Sequence, residues 1–263
     1  MILWKCWRDL RVFVFVGLAW LALLAAGVLS HPHMVEGSPQ LTSSGVDVIA
    51  ALMRVFMDVQ TFAFAFLAWG MGTRGIGRDI GNGVGSFLLT RPARRTAFLW
   101  IEWSAGIAAI ALLLGVADLL YWGAVHFHFL RIVYVRLGPD YQRIWVDATL
   151  SFRTAGIATL CAFVFVALIF SLTHFGTVVF RHSTRGLLCC IGCLVGYLLL
   201  GWEIYLHHPS WSPHFPDVLF QPFIDFPRNA KLVPDATASI VERLAVLPLF
   251  PLIASIFFQR AEV

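Results

Sequence analysis

Long apolar runs, separated by shorter polar intervals, set the pattern of this chain. They extend over Val12 to Leu29, Val48 to Gly70, Ala97 to Trp122, Phe152 to Phe180, Gly186 to Leu206 and Ile240 to Phe258. A helix needs about 20 predominantly apolar residues to cross the hydrocarbon core of a bilayer, so each run predicts a membrane span. The pattern therefore predicts an all-α polytopic membrane protein, one domain over residues 1–263 with six transmembrane helices. Pro248 and Pro251 interrupt the last run, so a break is expected there. The first run is longer than the apolar core of about 7 to 15 residues in a signal peptide, which predicts a retained span. Trp4 and Trp7 precede it as interfacial anchors.

The polar intervals differ in kind, and the most distinctive is Met71 to Thr96, MGTRGIGRDIGNGVGSFLLTRPARRT. Ile76, Ile80, Val84, Phe87 and Leu88 recur at helical spacing, with Arg74, Arg78, Asp79, Asn82 and Ser86 mostly elsewhere. That pattern predicts a short amphipathic helix lying along an interface. Gly77, Gly81, Gly83 and Gly85 each cost such a helix about 1 kcal/mol relative to alanine. It cannot hold alone, so the membrane surface, the rest of the chain or a second protein must press on its apolar face. Pro92 ends it by pushing Arg91 out of the helical region.

Ser30 to Asp47 holds no Lys or Arg and reads as an outer loop. His126 to Leu150 reads as an amphipathic outer segment with Arg131, Arg136 and Arg143, and Arg181 to Arg185 as a tight inner turn. His207 to Ser239 carries six of the chain's 12 prolines among Trp211, Phe215, Phe220, Phe223 and Phe226. So many prolines exclude a regular helix, and so many aromatics exclude a free linker, which predicts a partly membrane-dipping outer segment before the sixth span. On this topology eleven basic residues fall inside and seven outside, the sign that cytoplasmic termini require.

Composition narrows the class. The 263 residues are 59% hydrophobic and only 13% charged, with mean hydropathy +0.79; soluble domains carry about 25% charged residues. The net charge of +4 sits beside apolar runs and orients them, rather than marking a nucleic-acid surface. The only lysines, Lys5 and Lys231, follow no glycine-rich phosphate loop, and no hydrolytic triad or zinc-protease helix appears. No catalytic or metal-binding residue is predicted. The histidine pairs His31/His33, His126/His128 and His207/His208 with His214 lack cysteine or dense carboxylate partners, and His174 is the one clearly intramembrane histidine. Cys190 and Cys193 have redox-motif spacing but lie in an apolar run, where small packing residues are expected. Arg54 and Asp58 are four apart in the second run and can pair on one helix face, lining a pathway, a dimer interface or only a boundary. Glu102, Asp118 and Glu203 lie near span ends and read as interfacial.

Gly83, then Phe87-Leu88-Leu89-Thr90-Arg91-Pro92, then Arg95 and Phe98-Leu99 resembles the segment between the second and third spans of type-2 ABC transporter permeases, G-T-L-x-F-L-L-T-R-P-V-S-R-x-x-F-L-x-G-K. Asp79 stands where that family often has an acidic residue four before the glycine. Val84-Gly85, Ala93-Arg94 and Ile101-Glu102 depart from it. The resemblance implies a cytoplasmic coupling helix docking on a separate ATP-binding subunit, with Ile80, Val84, Phe87 and Leu88 seated in its groove and Thr90, Arg91, Arg94 and Arg95 in polar contact. It implies a second permease chain, identical or homologous, a location in the bacterial inner membrane, and an exporter. No cofactor is expected in this chain, ATP and magnesium belonging to the partner. A membrane-embedded haem or metal electron carrier and a non-transporting membrane scaffold are the alternatives.

Overall fold

The computed structural model describes residues 2–30, 33–36, 60–82, 95–126, 132–137, 140–145, 152–207 and 244–260. In chain order these form α1 (Ile2–Ser30), β1 (His33–Glu36), α2 (residues 60–72), α3 (Ile76–Gly81), α4 (Arg95–His126), β2 (Ile132–Leu137), β3 (Asp140–Trp145), α5 (Phe152–Phe180), α6 (Ser183–His207) and α7 (Leu249–Arg260). Four helices are long and apolar enough to cross a membrane by length and composition: Trp4–Ala26, Thr96–Leu120, Thr159–Phe180 and Ser183–Ile204. They coincide with the first, third, fourth and fifth predicted spans. The second is described only from residue 60 onward, where it is helical. The sixth is a shorter apolar helix, Leu244–Phe258, with a turn at Leu247 and Pro248, whereas Pro251, also expected to interrupt it, lies inside the helix from Leu249.

α1 begins ten residues before the apolar run, because nothing in Ile2 to Arg11 disfavours a helix. α5 ends where Arg181 takes a left-handed conformation at φ 52°, about 1 kcal/mol uphill for a residue with a Cβ. The chain then reverses directly into α6. The segment read as an amphipathic outer stretch instead contains β2 and β3, paired antiparallel from Ile132 opposite Trp145 to Leu137 opposite Asp140. β1 joins β2 in parallel, His33 to Glu36 alongside Val133 to Arg136. Among the described residues a small three-stranded sheet thus accompanies the helices.

Side-chain contacts fix how the helices run. Gly17 abuts Leu113 and Lys5 reaches Glu102, so α1 and α4 are parallel. Gly106 abuts Phe170 and Trp103 Nε1 donates to Ser171 Oγ at 2.9 Å, so α5 is antiparallel to α4. α6 returns along α5, with Gly186 against Thr177 and the Cys190 thiol facing the Ile169 carbonyl. α5 is the central helix: Val166, Ala167, Phe170, Thr173 and Thr177 are all buried. Its hydroxyls are satisfied locally, Thr173 Oγ1 donating to Ile169 O and Thr177 Oγ1 to Thr173 O.

These directions gather the start of α1, the whole of α3, the start of α4 and the α5–α6 turn at one end of the bundle. Lys5, Arg8, Arg11, Arg74, Arg78, Arg181 and Arg185 are therefore concentrated there, as the sequence topology expected for these segments relative to one another. The strands adjoin in sequence the opposite ends of α1, α4 and α5.

Candidate functional site at the charged end

The site is the root of the glycine-rich stretch. α2 closes with Thr73 N–H on Trp69 O and Thr73 Oγ1 on Gly70 O. Arg74 N–H then bonds Met71 O in a tight turn. Gly75 adopts φ 97°, a conformation that favours glycine. A Cβ at Gly75 would also lie 2.7 Å from Glu102 Oε2, so only glycine lets that carboxylate approach the backbone.

Glu102 is 8% exposed and uses both oxygens. Oε2 accepts from Ile76 N–H at 2.7 Å, and Oε1 accepts from Lys5 Nζ at 3.1 Å. The same ammonium meets Asp79 Oδ2 at 2.5 Å. One lysine from α1 thus joins α3 and α4, and each carboxylate has a cation within reach. A carboxylate placed this deep is tolerable only because it is paired and hydrogen-bonded, and removing a single partner from such a pair costs about 3 to 5 kcal/mol. Glu102, near a span end, was read as interfacial; within the protein it is buried and bridging. The sequence signal was an acidic residue inside an apolar run with Lys5 on the same predicted side of the membrane, but only the parallel packing of α1 and α4 makes them partners.

On its other face α3 packs by shape. Ile76 is 2% exposed in a cluster with Phe98, Leu99, Val178, Ala254 and Phe258, and Ile80 is half-buried against the same cluster. Gly77 lies against the backbone of Thr177 and Val178, and Gly81 against that of Arg181. Ile76 and Ile80 are in contact with the rest of the chain, one of the three surfaces that could press on this amphipathic segment.

Beside the clamp is a cavity of about 20 Å³ lined by residues including Cys6, Asp9, Arg74, Glu102, Phe170 and His174, room for about one water. His174 is buried and stacks on Phe170 at 5.7 Å, and its Nε2 has no hydrogen-bond partner among the described residues. The Arg74 guanidinium lies 4.8 Å from the centre of the Phe13 ring.

The other predicted site residues divide simply. Arg95 is the first residue of α4. Val84, Phe87, Leu88, Thr90, Arg91 and Arg94 lie outside the described residues, as do Arg54 and Asp58. Among the described residues no group of three or more His, Cys, Asp or Glu could hold a metal. Cys190 is buried as expected of a packing residue, whereas Cys193 faces outward, and both are free thiols. His207 pairs with Glu203 at 3.4 Å on the exposed face of α6. No protein family model matches the chain, and neither a curated protein nor a solved structure shows significant similarity to it.

Proposed function

We propose that this chain is the membrane-spanning permease subunit of a type-2 ABC transporter working as an exporter. The observation that carries the reading is the stretch Met71 to Thr96, glycine-rich and amphipathic, containing Leu88-Leu89-Thr90-Arg91-Pro92 and set between two apolar runs. Its supports are the four long apolar helices and the position of α3 at the arginine-rich end, the end that faces the cytoplasm when basic residues orient a bundle.

In this reading residues 48–70 form the second of six spans and residues 240–258 the sixth. Two such chains, identical or homologous, assemble in the bacterial inner membrane with two ATP-binding subunits, the termini cytoplasmic. Val84, Phe87 and Leu88 seat the coupling helix in the partner's groove. Thr90, Arg91, Arg94 and Arg95 make its polar contacts, while Ile80 links the seat to the bundle. ATP-driven closure of the partner then displaces the coupling helix and tilts the spans.

The test is purification of the tagged chain from native membranes with assay of what accompanies it. A stoichiometric ATP-binding subunit with ATPase activity is expected. Phe87→Asp and Arg91→Glu should each reduce its recovery at least tenfold while the chain still inserts in the membrane. Absence of such a subunit beside the unmodified chain overturns the reading.

A further inference from the structure

We infer that the exposed face of α1 at the charged end binds an anionic phospholipid, its phosphate between Arg8 and Arg11 and its acyl chains along Val12, Phe15 and Val16. The inference goes beyond the permease reading and rests only on α1 crossing the membrane. Its ground is the placement of two arginines. The apolar window of α1 begins at Trp4. Arg8 and Arg11 lie about 6 and 10 Å further along the helix axis, past an exposed tryptophan of the kind that marks the headgroup level. Trp4, Arg8, Arg11 and Phe15 recur at i, i+4, i+7 and i+11 and are all exposed, so they form one stripe that no described residue covers.

Charge on that stripe is uncompensated. Among the described residues Arg8 has one ion-pair partner, Asp9, at 3.5 Å, and Arg11 has none. Neighbours in sequence do not face each other on a helix, and Asp9 lines the cavity that Arg74 and Glu102 also line. A guanidinium with hydrocarbon beside it needs an anion. Helical side chains lean toward the helix N-terminus, here the charged end, so both guanidinium groups are carried back to the phosphate level while their stems stay against lipid. One helical turn separates them, a spacing at which like charges repel. A phosphate between them offsets that repulsion and offers oxygens to both planar forks. Beyond Arg11 the stripe is apolar: Phe15 is 60% exposed and meets Trp7 edge to face at 6.3 Å. That surface suits an acyl chain. A zwitterionic headgroup would bring its own cation to a face that already has two, so an anionic lipid is preferred.

The experiment is native mass spectrometry of the purified chain, with any subunit that accompanies it, in detergent. Dioleoylphosphatidylglycerol, dioleoylphosphatidylcholine and water-soluble glycerol phosphate are titrated separately. The unmodified chain should bind the first lipid about tenfold more tightly than the second, and glycerol phosphate should leave no adduct. Arg8→Gln with Arg11→Gln should bring the two lipids within about twofold of each other. Arg78→Gln with Arg185→Gln removes as much charge from the same end, at exposed positions off this stripe, and should leave the preference intact. Equal loss in the two double variants would assign the preference to a diffuse field and overturn the inference. So would the absence of a preference in the unmodified chain, a full preference without Arg8 and Arg11, or a glycerol phosphate adduct that those substitutions remove. A dimer of the unmodified chain lost with the same two arginines would give the face to a second copy, which also overturns it. Should the Arg8 and Arg11 variant fail to purify, Arg11→Gln alone decides, and about half of the preference or more should go with it.

Discussion

α5 and α6 are neighbours joined by a two-residue turn, and their mean hydropathies are nearly equal, 2.2 and 2.0. Yet 67% of the apolar window of α5 is buried inside the protein and only 12% of that of α6. Hydropathy reports that a segment prefers hydrocarbon; it does not report whether lipid or protein supplies it. What separates the two helices is the residues of neighbouring elements that let α5 come close. Gly72, Gly77, Gly106 and Gly186 all face it, each at a distance that a Cβ would violate. Close backbone approach of this kind drives helix association where lipid is as apolar as any side chain. The outer face of α6 carries Leu188, Val195, Leu199 and Trp202, all large and exposed.

This contrast can be broken most severely at Phe170, 2% exposed, whose ring fills the space left by Gly106 and stacks on His174. Phe170→Ala should cost about 3 kcal/mol through the cavity it leaves, seen as a large fall in the midpoint of thermal unfolding in nanodiscs. Gly186→Val comes next. Its side chain would meet Thr177 on α5, and such overpacking costs about 2 kcal/mol, read by the same measurement and by faster exchange around the α5–α6 turn. Leu199→Ala, on a residue 66% exposed, should change stability by no more than about 0.5 kcal/mol. A loss there as large as at Phe170 would show that a second chain, not lipid, covers α6.

The same contrast explains what the sequence could show. Helix limits were legible wherever composition changes sharply: α5 was expected over Phe152 to Phe180 and occupies that range, because a turn rich in charge and hydroxyls follows. The early start of α1 was missed because Ile2 to Arg11 is polar enough to look like a flank, although no residue in it stops a helix. β2 and β3 were missed because their short alternations sit in a stretch weighed for helical amphipathicity, while the Gly138-Pro139 pair between them marks a hairpin. Burial was the least legible property. Glu102 was placed at an interface because it lies near the end of a predicted span, and its partner is 97 positions away in sequence. Ile76 and Ile80 were placed on one apolar face correctly, but periodicity cannot name the surface that covers it.

That separation of 97 positions has a bearing on biosynthesis. At about 5 to 20 residues per second, a ribosome needs roughly 5 to 20 seconds to add what lies between the two residues. α1 and α2 are completed within that interval, before the carboxylate that pairs with Lys5 from α4. The long lysine stem can reach the headgroup layer and keep its charge wet meanwhile. Asp79 is made first and Glu102 follows with α4, so a chain stalled between the two has one of the two carboxylate partners of Lys5 and not yet the other.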